Sequence, residues 1–490
     1  MSTENAETVH GLSRNSVGLS GAVAQSAAFI GPAVGLTAGN IFIAGLSGIA
    51  SPFEFVIGLV ISMCIALTIG EYAKHISSAG SFYTYLRHAF GPKSGFVTGV
   101  MLFGAYICVL VFTFAFFGGF VNSYAMSHGV TIPWQIWTLA LGAIVIGIGI
   151  AGISPSLKVT LTGLTFEVSV FTVLAIVILS KGGAHGLSFA PFNPANSATG
   201  FSGIMLGSVF TIFAFVGFES ATTLGEEVRD ASRNIPRAVI LTTLVIGVFY
   251  VFVTYAEVIG FGINMHGLHQ LQTNGSPFSY LGTKYISGWF GGLVELATIS
   301  SLAALCIAQV IAGSRVIFAL GRDGMAPRVL GRAGARGTPY VALLAVALVG
   351  IGASVVGGSL WGSINFASWA SFLGTLFFIA AYALLLVGIY FYTRRNVAID
   401  FSLLRHLVIP VVGLIGVGVV LYGNVHPLPP SPLRYLIYVA VLVLVLAVIF
   451  VFRLERSDPV RLQEAGRILS SADVVPEPVP IPLHLETDIE

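Results

Sequence analysis

Ser208-Val-Phe-Thr-Ile-Phe-Ala-Phe-Val-Gly-Phe-Glu-Ser-Ala221 is the stretch that decides the fold. It is apolar and aromatic, yet it contains a glycine at Gly217 and an acid at Glu219. A carboxylate inside an apolar span is costly in lipid and is tolerated where it faces protein or water. Aromatic residues beside a glycine and a buried acid are typical of a broken membrane helix that holds a solute. We therefore interpret this stretch as half of a transport site.

The composition of the chain is that of a membrane protein with many spans. Of the 490 residues, 56% are hydrophobic and 9% are charged, whereas soluble domains carry about 25% charged residues. The basic residues fall in short loops between apolar runs, which argues against nucleic-acid binding. The cysteines Cys64, Cys108 and Cys306 each lie inside an apolar run, so we expect them to pack, with no disulfide, metal site or cofactor.

Twelve apolar runs approach the length of about 20 residues that a bilayer span requires. We predict spans at 17–44, 50–72, 94–124, 133–152, 159–180, 201–224, 237–261, 289–320, 339–357, 364–391, 405–422 and 432–453. Residues 1–16 are polar, and residues 456–490 are rich in proline and acids. The sequence therefore predicts a transporter domain at 17–455 between two cytoplasmic tails.

Lys and Arg are distributed unevenly between the two sides of this arrangement. Loops rich in Lys and Arg usually stay in the cytoplasm. With both termini cytoplasmic, only Lys181, Lys284 and Arg434 fall on the far side. The pattern predicts a multi-pass protein of the cytoplasmic membrane, with both termini in the cytoplasm.

Two of the predicted spans carry residues that interrupt a helix. The first contains Phe29-Ile-Gly-Pro-Ala-Val-Gly35, where Pro32 lacks an amide hydrogen and disfavours a straight helix. The sixth contains Ala214-Phe-Val-Gly217 at a similar depth. Interruptions in spans one and six fit two inverted repeats of five spans, with a simple kink at Pro32 as the alternative. The repeats would occupy 17–180 and 201–391, followed by two additional helices at 405–453.

Three blocks of sequence occur in order over about 15–455. They are Ser78-Ala-Gly-Ser-Phe-Tyr-Thr-Tyr-Leu-Arg-His-Ala-Phe-Gly-Pro-Lys-Ser-Gly-Phe96, then Phe213-Ala-Phe-Val-Gly-Phe-Glu-Ser220 with Leu224-Gly-Glu-Glu227 and Asn234-Ile-Pro-Arg237, and then Ser314-Arg-Val-Ile-Phe-Ala-Leu-Gly-Arg-Asp-Gly-Met-Ala-Pro327 with Thr338-Pro339. In these blocks the chain resembles the amino acid–polyamine–organocation (APC) superfamily of permeases. The resemblance implies an all-α polytopic membrane protein, with a leucine-transporter-like 5+5 inverted repeat and 12 transmembrane helices.

The resemblance also implies where a substrate binds. In such permeases spans one and six unwind near the membrane midplane, and the freed backbone groups hold an amino acid. Carried to this sequence, the substrate-binding residues are Gly31, Pro32, Ala33, Val34 and Gly35 from span one, and Phe213, Ala214, Phe215, Val216 and Gly217 from span six. Helix N-termini can bind a carboxylate and helix C-termini an ammonium group. Phe213 matches an aromatic residue that closes over the substrate, with ordinary packing as the alternative. Span one differs from that of some relatives because it lacks their Gly-Ser-Gly signature.

Polar residues inside the spans are candidates for gating or coupling: Glu219, Tyr106, Gln309 and Glu167. Glu219 follows the interruption, where it is expected to organise the inner gate, receive a proton or bond helix-end donors. Some relatives place a lysine well inside span five, whereas this chain has Lys158 at its start and Glu167 in its middle. Coupling and packing both stay open for Glu167. Glu226 and Glu227 are expected to form a solvated ion-pair cluster with neighbouring arginines, with a gate role as the alternative.

The sequence predicts a secondary active transporter of amino acids, coupled to protons. Neutral, apolar amino acids are favoured because Glu219 is the only strong acidic candidate near the predicted site. A polyamine or other amine transporter or exchanger is one alternative, and a solute sensor derived from a transporter is another. The histidines are scattered, which argues against an enzyme. The sequence contains no GxxxxGKS phosphate loop, which argues against the use of ATP. The expected partners are a small-molecule substrate, a coupling ion and the lipid bilayer.

Overall fold

A computed structural model describes residues 11–334, 337–396 and 399–464. Twelve helical stretches, some of them built from consecutive helical elements, are long and apolar enough to cross a membrane. The prediction of an all-helical protein with twelve spans is therefore confirmed. Residues 1–10 of the predicted N-terminal tail and 465–490 of the predicted C-terminal tail lie outside the described residues. The division into two repeats stays a prediction.

The helices follow one another with short connections. The first eight are α1 (Leu19–Ile30), α2 (Pro32–Ser47), α3 (Ser51–Ala73), α4 (Phe82–Phe90), α5 (Pro92–Ser127), α6 (Trp134–Ala151), α7 (Ile153–Ser180) and α8 (Gly200–Phe215). The others are α9 (Ala231–Phe261), α10 (Met265–Thr273), α11 (Pro277–Tyr285), α12 (Gly288–Arg322), α13 (Tyr340–Trp361), α14 (Ser363–Arg395), α15 (Ile409–Val425), α16 (Leu433–Ser457) and α17 (Pro459–Glu464). Short 3-10 segments lie at Gly48–Ala50, Ala190–Phe192, Pro194–Asn196, Phe218–Leu224 and Arg328–Gly331, and a π-helical turn at Leu404–Val408 precedes α15.

Spans one and six are broken, and each break is shorter than the sequence suggests. Span one leaves the helix only at Gly31, whose φ is 62°. Pro32 then starts α2, because its fixed φ suits a first helical turn and its missing amide costs nothing there. Span six leaves the helix at Val216 and Gly217, and Gly217 has a φ of 112°. Of the residues expected to unwind, 32–35 thus form the first turn of α2, and 213–215 the last turn of α8.

Burial separates the centre of the bundle from its periphery. In the most apolar 18 residues of α12, 89% are buried inside the protein, whereas the corresponding fraction for α16 is 11%. Exposed leucines and valines along α16, such as Val441 and Leu446, present an apolar surface that suits lipid contact. The broken spans and α12 therefore form the centre of the bundle, and α16 forms part of its outer surface.

The ends of the helices define two faces of the protein. The face that we call basic carries the connections 74–81, 225–230, 323–334, 337–339, 396 and 399–403. The open face carries the connections 128–133, 181–199, 262–287 and 426–432, and the third of these includes α10 and α11. Val17 and Val228 pair on the basic face. The Val17 amide donates to the Glu227 backbone carbonyl (3.0 Å), and the Arg229 amide donates to the Val17 carbonyl (2.9 Å). This pairing ties the start of span one to the end of span six.

Two acids after span six hold this face against α12. Arg315 donates two hydrogen bonds to Glu227, at 2.5 and 2.9 Å, and both side chains are almost fully buried. Arg322 donates to Glu226 at 2.7 and 3.0 Å. Burial acts to raise the pKa of Glu226, but Arg322, the Ala79 amide and the charge of Arg14 together hold that pKa below its usual value. The expected solvated cluster with neighbouring arginines was therefore wrong, because the partners come from α12, about 90 residues away and invisible in the local sequence.

Replacing Arg315 by Met is expected to destabilise the protein by about 3–5 kcal/mol, because Glu227 is left charged and buried. The double variant Glu227→Met with Arg315→Met should recover most of this loss. Thermal unfolding of the purified protein measures both effects. Arg322→Met is the matched control, since its pair with Glu226 is partly exposed, and it should cost clearly less. Equal losses for the two arginines would contradict the assignment.

Candidate functional site

A cavity of about 890 Å³ runs from the two helix breaks to the open face. Ile30 and Val216 line it beside the breaks, and Ser127, Ser276 and Pro427 line it near the open face. The side walls come from α2, α5, α8, α12 and α14. A solute that enters from the open face can thus reach the broken ends of both helices.

The base of the cavity is apolar and aromatic. It is lined by Phe29, Val34, Phe112, Phe213 and Leu305. Phe213 meets Phe112 edge to face, with ring centroids 6.0 Å apart. The polar groups available at this depth are therefore mainly those of the backbone at the two breaks.

One acid lies higher in the wall. Of the described residues that line the cavity, Glu295 alone is charged. It lies on α12 ten residues before Leu305, which corresponds to about 15 Å along the helix axis. The base and the upper part of the cavity thus differ in charge.

Glu219 stabilises the break in span six. Its Oε2 accepts hydrogen bonds from the Gly217 amide (3.0 Å) and the Tyr382 hydroxyl (2.8 Å), and its Oε1 accepts one from Tyr106 (3.2 Å). Glu219 and Tyr106 are fully buried, and the Tyr106 ring packs on Phe29 at 4.9 Å. Neither residue belongs to the cavity wall. Glu219 therefore caps the break from the side of the basic face.

Glu167 has the corresponding position at the break in span one. Its Oε2 accepts a hydrogen bond from the Ala33 amide (3.1 Å), in the first turn of α2. The hydroxyl of Ser301 lies beside this carboxyl group. Each break is thus capped by one buried glutamate.

The lower segments, which we define as α1 and Phe218–Leu224, are bound to each other and to α12. Ser26 donates to the Phe218 carbonyl (2.7 Å) and accepts from the Ala221 amide (3.0 Å). The Gln25 side chain donates to the Ala308 carbonyl of α12 (2.8 Å). These buried bonds make the lower segments one unit with α12.

The upper segments, which we define as α2 and α8, pack along each other on the open side of the breaks. Gly35 of α2 faces the Tyr250 hydroxyl so closely that a Cβ at this position would overlap it. The same hydroxyl donates to the Ala214 carbonyl of α8 (2.9 Å). Gly35 is required for this close approach of α2 to α8 and α9.

The structure brings together half of the ten predicted binding residues in the cavity wall: Val34, Gly35, Phe213, Ala214 and Val216. The others are buried beside it. Gly31 and Pro32 form the turn, Ala33 bonds Glu167, Phe215 packs edge to face on Tyr250 (5.3 Å), and Gly217 lies against Phe29. Gln309 is buried in α12 away from the cavity, and its amide has no hydrogen-bond partner among the described residues.

Sequence reasoning missed several residues of this region. Phe29 and Ile30 line the cavity directly before Gly31, so the interruption itself was a signal for them. Tyr382, Phe112 and Leu305 lie in uninterrupted apolar spans, and nothing in the local sequence distinguishes them. Their roles follow from the packing of distant helices.

A family model described as amino acid permease matches residues 24–457. The chain belongs to the amino acid permease family. This confirms the resemblance to the APC superfamily, whose members are transporters. Together with the twelve spans, it makes the permease an integral, multi-pass membrane protein.

Relatives of the permease carry names of two substrate classes. It is 26% identical over 403 residues to the branched-chain amino acid permease BcaP of Lactococcus lactis subsp. cremoris (strain MG1363), covering 76% of the permease and 81% of the relative. It is 24% identical over 309 residues to BcaP of Bacillus subtilis (strain 168), covering 59% and 63%. It is 28% identical over 301 residues to the low-affinity putrescine importer PlaP of Escherichia coli (strain K12), covering 58% and 62%.

Glu219→Ala in the permease is expected to leave the Gly217 amide and the Tyr106 and Tyr382 hydroxyls buried without their acceptor. Each unsatisfied group costs about 1–3 kcal/mol. Tyr382→Phe removes only one donor and leaves Glu219 with two others, so it should cost less. Thermal unfolding of the purified variants compares the two. A larger loss for Tyr382→Phe would contradict the role of Glu219 as the cap of the break.

Proposed function

We propose that this chain is a secondary active transporter that imports neutral, apolar amino acids across the cytoplasmic membrane by proton symport. Membership of the amino acid permease family supports transport. The observation that carries the proposal is the cavity, whose uncharged, apolar base ends on the broken ends of two helices. Such a base suits a solute with an apolar side chain and a compact pair of opposite charges.

The backbone at the breaks supplies partners for both charges of an amino acid. Val34 lines the cavity in the first turn of α2, where amides lack an acceptor within the helix. This turn carries the positive end of the helix dipole, so it binds the substrate carboxylate. The last turns of α1 and α8 present carbonyl groups towards the same region, and these bind the ammonium group.

The side chain of the substrate would lie among Phe112, Phe213 and Leu305. Burying a valine or leucine side chain there contributes about 1.5–3 kcal/mol. The names of the two branched-chain amino acid permeases among the relatives agree with this substrate class. Phe213 lies in the last turn of α8, next to the break, where it can close over a bound solute.

Glu167 is the proposed site of the coupling proton. It is fully buried, and it touches α2 at the break through the Ala33 amide. A bare carboxylate buried without a cationic partner is costly. A proton on Glu167 removes this cost, and the resulting hydroxyl can donate to Ser301. Proton binding is thereby linked to the position of α2, which also lines the substrate cavity.

The distribution of basic residues supports the orientation of the protein in the membrane. By the positive-inside rule the basic face lies in the cytoplasm. The described chain starts and ends on that face, since α16 runs from the open face to the basic face, where Lys93 pairs with Glu455 (2.6 Å). Both termini are then cytoplasmic, and the cavity opens to the outside.

An amine is the second candidate substrate. Glu295 places one carboxylate in the cavity wall, and it would attract a cationic solute. The resemblance to a putrescine importer agrees with this alternative. An amine has no carboxylate for the first turn of α2, so it would use only part of the site described above.

Purified protein is expected to be stabilised by leucine, isoleucine and valine in a thermal-shift screen, and less by lysine or putrescine. In proteoliposomes, uptake of the stabilising amino acid should rise with an inward proton gradient and fall with a protonophore. Binding without flux would indicate a sensor. Uptake that depends on sodium and ignores pH would overturn the coupling proposal.

Glu167→Gln is the variant that accompanies this experiment. The glutamine carbonyl still accepts from Ala33, but it carries no proton, so the response to the gradient should disappear while exchange of substrate persists. Lys158→Gln, at the start of the same helix, is the control and should keep the response.

Phe213→Ala is expected to raise the KM for the apolar substrate by about 10-fold or more, which corresponds to a loss of about 1.5–3 kcal/mol of burial. Folding should be little affected, because Phe213 is only partly buried. Uptake kinetics measure the effect. Phe210→Ala, one turn further from the break in the same wall, is the control with a smaller expected change. Unchanged kinetics for Phe213→Ala would remove this residue from the site.

A further inference from the structure

The upper segment α2 has two different faces. Val34, Gly35, Ala38, Gly39 and Leu46 line the cavity, and Thr37 lines it at the edge of this face. On the opposite side lie Ala33, Asn40 and Ser47. Residues seven apart drift by only about 20° around a helix and are about 10 Å apart along it. These three residues therefore form one stripe along the rear of α2, turned away from the solute.

Each residue of this rear stripe meets a buried glutamate from a different helix. Glu167 of α7 accepts from the Ala33 amide (3.1 Å). Glu257 of α9 accepts a hydrogen bond from the Asn40 side chain. Glu54 of α3 lies beside Ser47. Glu54 and Glu257 are 0% and 1% exposed, and the transport steps proposed above use neither of them.

Glu257 joins α2 to α9 through Asn40. At that end of α9, Lys284 of α11 donates to the Gly260 carbonyl (3.2 Å), as does the Tyr285 hydroxyl (2.9 Å). Neither forms an ion pair with Glu257 among the described residues. Glu257 thus acts on α2 through a hydrogen bond to a neutral amide.

Glu54 touches both upper segments. Its carboxyl group fills the space in front of Gly207 of α8, where a Cβ would overlap it, and it lies beside Ser47 at the end of α2. Gly207 therefore permits α8 to approach Glu54.

The two breaks separate the upper segments from the lower segments. The lower segments are bound to α12, whereas α2 and α8 continue from them through Gly31 and through Val216–Gly217. Closing the cavity requires its α2 wall to approach the walls formed by α5 and α14. That movement draws the rear stripe away from α9 and α3.

We propose that Glu257 and Glu54 are positioning residues that hold α2 and α8 in the arrangement with the cavity open. Glu257 does so by accepting the hydrogen bond of Asn40, and this bond breaks when the cavity closes. The proposal rests on the transporter function proposed above, but on neither its substrate nor its coupling ion.

Spin labels on the two sides of the cavity mouth test this proposal. Gly45→Cys on α2 and Asn365→Cys on α14 are exposed positions, next to the lining residues Leu46 and Ile364. The native cysteines are replaced by alanine. Pulsed electron paramagnetic resonance without substrate then gives the populations of long and short distances between the labels.

Glu257→Leu and Asn40→Leu are each expected to raise the ratio of short to long distances by about 3- to 10-fold, the equivalent of one lost hydrogen bond. Glu257→Gln should keep the parental ratio, because its carbonyl still accepts from Asn40. Glu54→Leu should shift the ratio in the same direction.

Thr254→Val is the matched control, since the Thr254 hydroxyl lies on α9 but donates only to the Tyr250 carbonyl (2.7 Å) and to that of Val251 (3.3 Å) in the same helix. Parental distances in both Glu257→Leu and Asn40→Leu would overturn the proposal. A shift in Glu257→Gln as large as that in Glu257→Leu would also overturn it. If Glu257→Leu does not fold, Asn40→Leu decides alone. Because no substrate is added, failure of the proposed substrate or coupling ion leaves this result interpretable.

Discussion

A helix that breaks inside a membrane frees amide groups that lipid cannot satisfy, and the whole site depends on how these amides are bonded. This protein uses one buried glutamate at each break. Glu167 accepts from Ala33 after the turn at Gly31, and Glu219 accepts from Gly217. The cavity lies where both helices stop and restart beside each other, and these acceptors bond the amides freed there. The acids therefore shape the site without lining it.

The two halves of the bundle differ in how firmly they are held. On the basic side, Val17 pairs with Val228, Arg315 pairs with Glu227, and Ser26 joins both lower segments. On the open side, α2 and α8 are held by Tyr250 and by the buried glutamates that contact the rear stripe of α2. This difference agrees with a cavity that opens on the open face, and it supports the proposal that the upper segments are the part that moves.

Local sequence predicted what depends on local physics. The apolar runs predicted twelve spans, and the glycine and proline residues at 31–32 and 217 predicted where two of them break. The length of each break was overestimated, because Pro32 restarts a helix at once. The partners of Glu219 could not be predicted, since Tyr106 and Tyr382 are 113 and 163 residues away in spans of ordinary composition. The same holds for Glu54 and Glu257. Both contact the rear stripe of α2, and this shared contact arises only when α3 and α9 pack against α2.

The depth of the cavity also determines where the membrane voltage acts. Solution that fills the cavity carries the electric potential of the open side down to the breaks, so the potential difference falls across the lower segments instead of the full thickness of about 30 Å. An elementary charge that crosses this layer gains or loses about 2.3 kcal/mol per 100 mV. Glu167 and the first turn of α2 lie at its boundary. In the proposed transport cycle, the electrical work is thereby concentrated in the short step between the breaks and the basic face.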